Sequence, residues 1–344
     1  MLSIAYAALL LVIPFAAILF GTLRPQHATA VLMLGAMLFL PERIGFDAPG
    51  LPSIDKSSLP PLVVLVALSL TARRRLALAL RLHRSDWLLL LLVTGGLATS
   101  LSNFDPVRCG SLTIPGMDTW DALSETVPTI LGVVAPYLIG RAQIQHARDP
   151  RDFFEILVGA YIIYLPLIYF ELRMSPQLHY MVYGIQQHSF IQTIRFGGYR
   201  PMVFMPHGLA LAMFSFSGII MAWALARTGS RALGSFAVPV ACVLSITHVL
   251  LKSSAAIVYA VLAFPLVFFT GRRTASAVAL VMCATVLTYP LLRAADAFPT
   301  ATILEGVRRV SYERAQSLDF RFRNEDVLLE RARLRPWLGW GSWG

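Results

Sequence analysis

The chain has 344 residues, of which 56% are hydrophobic and only 14% are charged, with a formal net charge of +10. Soluble domains average about 25% charged residues, so this composition excludes an ordinary soluble protein. The positive charge does not indicate nucleic-acid binding, because no basic patch with interleaved aromatic residues lies in a polar segment.

The apolar residues form long blocks. Residues 1–23, 232–251 and 253–271 contain no charged side chain, and a block of about 20 residues can cross a hydrocarbon core of about 30 Å. Backbone polar groups in lipid must be satisfied internally, so the blocks should be helices. We predict an all-α, polytopic transmembrane helix bundle with about ten spans, near residues 2–21, 27–41, 58–72, 86–101, 126–140, 153–171, 206–226, 233–251, 254–270 and 275–292.

Nearly half of the basic residues lie in alternate short loops, which is the pattern of cytoplasmic loops. They are Arg24, Arg73, Arg74, Arg75, Arg81, Arg84, Arg141, Arg148, Arg151, Arg227, Arg231, Arg272 and Arg273. This pattern places residues 42–57, 102–125, 173–205 and the chain after 293 on the outer side. The predicted organisation is 1–172 N-terminal transmembrane helices, 173–205 outer loop, 206–292 core transmembrane helices, and 293–344 the start of a second outer segment.

The first polar cluster on the outer side runs from Arg195 to Met213. Arg195 and Arg200 bracket a glycine-containing turn, and Pro206 and His207 precede the next helix. Helix amino termini favour anions, and two arginines can bind phosphate oxygens bidentately. The alternative is a pair of interfacial arginines that extend to the lipid surface. His207 is a candidate base or hydrogen-bond donor, and a structural role is the alternative.

The second cluster is the turn after residue 251. Lys252 interrupts two uncharged spans with almost no loop, and small residues follow it at 253–256. Small residues let helices approach closely. Lys252 is therefore either an interfacial anchor or a cation at the mouth of a site.

The third cluster is the polar tail from Ser311. Its apolar and alternating charged residues predict a short surface helix over 317–335, with Arg321 and Arg323 preceding Glu325 and Asp326. A solvated helix with ion pairs along its face is the alternative to a binding role. If the three clusters share one outer pocket, it collects Arg195, Arg200, Lys252, Arg321 and Arg323, and it suits an anionic, lipid-linked substrate such as a diphosphate.

The three clusters, in this order and on this face, resemble the O-antigen ligase and polymerase superfamily of bacterial membrane glycosyltransferases of the GT-C type. The resemblance covers about residues 190–344. It rests on Arg195 to Gly198 with Pro206-His207-Gly208, on Lys252 to Ala255, and on Ser317 to Arg321 with Gly339-Trp340-Gly341. Lys252 departs from the family pattern, which has an arginine in that turn.

The resemblance implies transfer of a glycan from an undecaprenyl-diphosphate carrier to an acceptor hydroxyl of a glycan or of a lipid A core. The reaction would occur on the outer face of the bacterial inner membrane, without a cofactor or an essential metal. Arg195 and Arg200, with Arg321 or Arg323 and with Lys252, would bind the diphosphate, and His207 is the candidate catalytic base. In this family, more outer segment and further spans follow the Gly-x-Gly turn, so we expect a C-terminally truncated chain that lacks the usual base.

The alternative class is a non-catalytic multi-pass membrane protein, either a transporter or flippase, or a scaffold of a polysaccharide export complex. An inverted repeat or an ionisable pair at mid-membrane would favour a transporter. The sequence shows neither.

Overall fold

The computed structural model describes residues 2–47, 52–109, 111–146, 149–195, 197–230 and 232–341. Arg148 and Arg231, two of the predicted cytoplasmic arginines, lie outside the described residues, as does the chain after residue 341. The helices are α1 (Leu2–Thr22), α2 (Pro25–Phe39), α3 (Leu59–Thr71), α4 (Arg73–Ala79), α5 (Asp86–Leu101), α6 (Thr119–Thr129), α7 (Ala135–Gln143), α8 (Asp149–Met174), α9 (Leu178–Tyr183), α10 (Gly208–Thr228), α11 (Ala237–Leu250), α12 (Ser254–Phe269), α13 (Arg272–Ala294), α14 (Thr300–Val310) and α15 (Tyr312–Arg333).

The strands form three antiparallel two-stranded pairs among the described residues, and each pair lies in a connection between helices. They are β1 (Gly45–Phe46) with β2 (Ile54–Asp55), β3 (Val107–Cys109) with β4 (Leu112–Ile114), and β5 (Ile194–Arg195) with β6 (Gly198–Tyr199). A π-helical turn, Ile130–Val134, joins α6 to α7. The predicted all-α class is confirmed.

Five helices are long and apolar enough to cross a membrane: Leu2–Thr22, Thr119–Gln143, Asp149–Met174, Gly208–Thr228 and Arg272–Ala294. Five shorter apolar helices of 10–17 residues occupy the other predicted positions. A helix of 15 residues is about 22 Å long, which is less than a hydrocarbon core of about 30 Å. The structure thus supports five spans by length and composition, and the count of about ten stays a prediction.

The chain divides into two compact units, residues 1–90 with 124–268 and residues 91–123 with 269–344. In the first unit, α8 packs against α2, α10 and α11, and α1 packs against α2 and α3. Tyr161 and Tyr164 of α8 are fully buried in this core. Their rings meet Phe214 of α10 edge to face, with centroids 5.5 and 6.2 Å away.

The second unit shows where the polar tail packs. Arg293, at the end of α13, is only 6% exposed and binds Glu325 at 3.1 Å and Asp326 at 2.7 Å. The prediction of a short helix over 317–335 is wrong in extent, because α15 begins at Tyr312 and α14 precedes it. Ser311 caps α15 by accepting a hydrogen bond from the Arg314 amide at 3.5 Å, and such a cap marks a helix start.

The Gly339-Trp340-Gly341 turn is packed within the same unit. The Trp340 ring lies under Arg331 and Arg335, at 4.9 and 4.3 Å from their guanidinium carbons, and its indole N–H donates to Arg331 O at 2.9 Å. Both Gly339 and Gly341 have positive φ, 66° and 67°, a conformation that glycine adopts without steric cost.

The contact between α8 and α10 gives a stability prediction. A Cβ placed on Gly218 would lie 2.6 Å from Cδ1 of the buried Tyr161 ring. We expect Gly218→Ala to lower the free energy of unfolding by about 1–3 kcal/mol, because overpacking forces the ring or the helices apart. Thermal unfolding in detergent measures the effect. Gly159→Ala on α8 is the matched control, since nothing lies within 4 Å of its Cβ position. An unchanged midpoint for Gly218→Ala would contradict the packing described here.

Candidate anion-binding site

The first half of the site is the β5–β6 hairpin. Arg195 pairs with Gly198 across the two strands, and Gly197 has φ +67°, which lets the chain reverse. The Arg200 amide then donates to Thr193 O at 2.8 Å, which closes the base of the hairpin. The turn predicted between Arg195 and Arg200 is present, and it places the two arginines close enough for their charges to interact.

Arg200 is the arginine most strongly held by the fold. Its Nη2 donates to Ser253 Oγ at 3.1 Å, while its Nε is buried and has no hydrogen-bond partner among the described residues. Burial lowers the pKa of Arg200, and the positive charge of Arg195 lowers it further. The side chain lies against Gly208, where a Cβ would stand 2.7–2.8 Å from Arg200 Nε, Cδ and Cγ. Gly208 is therefore needed for this close approach.

Lys252, in the α11–α12 turn, packs against the same hairpin. Its backbone is left-handed, with φ +55°, and the half-buried side chain brings Nζ against Gly198, so that a Cβ there would collide with it. The neighbouring Ser253 binds Arg200. The first two sequence clusters thus converge. Within the described residues, none of Arg195, Arg200 and Lys252 forms an ion pair.

His207 is the N-cap of α10. Its Nδ1 accepts a hydrogen bond from the Ala210 amide at 3.0 Å, so the proton of the neutral imidazole is on Nε2. In this arrangement His207 is a hydrogen-bond donor, and its Nδ1 is already occupied. The amino end of α10 adds the positive end of a helix dipole.

A second imidazole, His188, lies beside His207, with ring centroids 6.2 Å apart and planes at 84°. Its Nδ1 lies 3.4 Å from Ser189 O; in the tautomer that donates to this carbonyl, Nε2 keeps a lone pair. His188 was not identified from the sequence. Its only signal was its place in the polar segment 173–205, because its nearness to His207 depends on the folding of that segment.

Apart from Lys252, these side chains line a cavity of about 160 Å³. The lining consists mainly of polar residues: His188, Gln192, Thr193, Arg195, Arg200, Met202, His207, Gly208 and Leu209. A group of phosphate size fits this space. The arrangement provides cations, a helix amino terminus and two imidazoles of opposite hydrogen-bond polarity.

A larger cavity of about 820 Å³ lies next to the same helix start, lined by Met205 and Pro206 before α10 and by Ala210 and Met213 on it. Most of its other walls are apolar side chains of α2, α3 and α8, and charged groups at residues 42–43 and 55–56 line one part. The two cavities thus flank the amino end of α10, one cationic and the other largely apolar.

Arg321 and Arg323, the predicted second clamp, lie on α15 in the second unit. Both are exposed, and Arg323 pairs with Asp319 at 2.6 Å, four residues earlier on the same helix. This pair has the geometry of the solvated-helix alternative. The cationic cavity of the first unit is built without either arginine.

No protein-family model matches the chain, and neither a search of curated proteins nor a search of solved structures found a similar protein.

A buried histidine in α9 gives a pH prediction. His179 is fully buried; Nε2 accepts from the Glu42 amide at 2.9 Å and Nδ1 donates to Ile185 O at 2.6 Å. Burial lowers the pKa of His179 below its usual value, so the unfolded chain takes up the proton first as the pH falls. Its contribution to stability should be complete above about pH 6.5 and lost below it.

The measurement is the thermal midpoint in detergent at pH 7.5 and 5.5. We expect a lower midpoint at pH 5.5 for the wild type and a smaller difference for His179→Gln. His146→Gln is the control, because that side chain is 71% exposed. An equal drop in the His179→Gln variant would assign the pH dependence to other groups.

Proposed function

We propose that the protein binds an undecaprenyl-diphosphate-linked glycan on the outer face of a bacterial inner membrane and transfers the glycan to an acceptor hydroxyl. The observation that carries the proposal is the convergence of Arg195 and Arg200 at the amino end of α10, with Lys252 packed against Gly198 of the same hairpin, and none of the three has a described ion-pair partner. Uncompensated cations in a partly buried site are unfavourable unless a ligand neutralises them. A diphosphate supplies that charge, and the adjacent apolar cavity suits a polyprenyl chain.

The chemistry is a displacement at the anomeric carbon. A bond forms between the acceptor oxygen and that carbon as the bond from the carbon to the diphosphate oxygen breaks, and the electron pair leaves with the diphosphate. Arg200, Arg195 and Lys252 stabilise the charge that develops there, and the Nε2–H of His207 can donate to it. The acceptor proton goes to a base, for which His188 Nε2 has the free lone pair.

The family resemblance favours a transferase over a protein that only binds the glycan carrier. Deleting the gene in the native host distinguishes a transferase from a flippase and from a scaffold. Deletion of the gene should leave lipid-linked glycan on the outer leaflet, where an added lectin reaches it in cells whose outer membrane is permeabilised and whose inner membrane is intact. Accumulation on the inner leaflet would indicate a flippase. Synthesis of normal polymer that is not exported would indicate a scaffold, and either result would contradict the transferase proposal.

A further inference from the structure

A buried turn connects the two ends of the cationic site. Residues 202–204 lie between Arg200 and His207, and all three are at most 7% exposed. Val203 has φ +55°, which is a rare conformation for a β-branched residue. Irregular backbone in a buried position needs a partner for every N–H and C=O group. The residues that form hydrogen bonds with this turn indicate its role in the site.

Glu171, at the end of α8, provides the largest share of these partners. It is fully buried. One carboxylate oxygen accepts the amides of Met202 at 2.8 Å and Val203 at 2.7 Å, and the other accepts the Leu178 amide at 3.0 Å. The carboxylate therefore ties the turn to the end of α8 and to the start of α9.

Three further side chains satisfy most of the remaining groups. Tyr164 Oη accepts the Phe204 amide at 3.1 Å, Gln187 donates to Val203 O at 2.9 Å, and Lys56 donates to Phe204 O at 2.7 Å. Met202 O accepts the Met205 amide at 2.9 Å. Side chains thus hold five of the six polar backbone groups of residues 202–204, and they come from widely separated parts of the chain.

We propose that Glu171, supported by Gln187 and Lys56, is a positioning residue for the cationic site: it fixes the 202–204 turn and thereby the separation of Arg200 and His207 across the cavity. The turn borders that cavity through Met202. A site that recognises an anion must hold its donors within a fraction of an ångström, and a strained turn persists only where its surroundings impose it. The inference rests on the proposed function, since the group positioned is the proposed diphosphate clamp.

The test uses the full purified chain in detergent and farnesyl diphosphate as the probe, with binding measured by calorimetry. In Glu171→Gln, an amide N–H₂ must face at least one backbone donor, so we expect the dissociation constant to rise about tenfold or more. Gln187→Met removes only one hydrogen bond and should raise it by a smaller factor. Hydrogen exchange of the amides at 200–208 should be faster in both variants.

Gly218→Ala is the stability control, because the substitution lowers stability at a site ten residues along α10 from Gly208 and should leave the dissociation constant within about twofold. An equal rise in that variant, or unchanged binding and exchange in Glu171→Gln, would overturn the positioning role. If the wild type binds no farnesyl diphosphate, the proposed function fails. In that case hydrogen exchange alone tests the positioning role of Glu171. Faster exchange of the amides at 200–208 in Glu171→Gln supports this role, and unchanged exchange overturns it.

Discussion

Arg200→Ala is expected to weaken binding of farnesyl diphosphate by about 30-fold or more and to abolish the glycan product in the host, with the protein level unchanged. Truncating one side of a buried, hydrogen-bonded charge contact typically costs about 2–5 kcal/mol, and each 1.4 kcal/mol is tenfold in affinity. Arg200 is the cation for which this range applies, because its Nε is buried without a described partner and its Nη2 is fixed by Ser253. Calorimetry in detergent measures the affinity.

The burial of the three cations sets the order of their expected effects. Arg195 is exposed, and charged contacts in water contribute at most about 1 kcal/mol. Lys252 is half-buried against Gly198 but has three rotatable donors on a flexible stem. Only Arg200 is anchored on both sides, by Ser253 and by the surface of Gly208. The largest loss should therefore follow from its removal.

Two further variants serve as controls for Arg200→Ala. Arg200→Lys keeps the charge but not the planar fork of donors, so it should retain part of the affinity and lie between the wild type and Arg200→Ala. Arg308→Ala removes an exposed arginine from α14, in the other unit, and should leave binding unchanged. Unchanged affinity of Arg200→Ala for farnesyl diphosphate would contradict the assignment of this cavity as the diphosphate site.

The sequence predicted the helices well because lipid-facing segments are apolar on all sides. Apolar helices form at each of the ten predicted positions, but five have only 10–17 residues. The apolar block alone sets the position of a helix, whereas its ends depend on local interactions. The start of α15 illustrates this: the Ser311 cap adds a turn that the apolar pattern of 317–335 did not show.

From the sequence, only those residues of the site that are close together in the chain could be predicted. Arg195, Arg200 and His207 surround one turn, and Lys252 was grouped with them because both segments were predicted to lie on one face; its contact with Gly198 was not predicted. The roles of His188 and Glu171 were not predictable, since the first depends on a loop that folds back onto α10 and the second on backbone amides of residues 202–203. The sequence does not show that a side chain will bind backbone groups. Glu171 lies near the end of a predicted span, and in the sequence it looks the same as a carboxylate at the membrane interface.

His188→Gln is expected to reduce glycan transfer by about 10²- to 10⁴-fold, the range for loss of a general base, while binding of farnesyl diphosphate stays within a few-fold of the wild type. The separation of the two effects follows from the hydrogen bonds. With Nδ1 donating to Ser189 O, His188 presents a lone pair on Nε2 and no positive charge in its neutral form, so the diphosphate gains little from it. His207 has the opposite polarity, because its Nδ1 accepts the Ala210 amide.

The experiment measures product amount and length in the host strain and affinity on the purified chain. His146→Gln is the matched control, since it makes the same substitution at a side chain that is 71% exposed, and it should leave both quantities unchanged. Loss of binding in His188→Gln would make His188 a ligand contact rather than the base. A normal amount of product in His188→Gln would show that His188 is not the base. The proton acceptor would then lie outside this cavity, because the other histidine of the described lining, His207, has its Nδ1 occupied by the Ala210 amide.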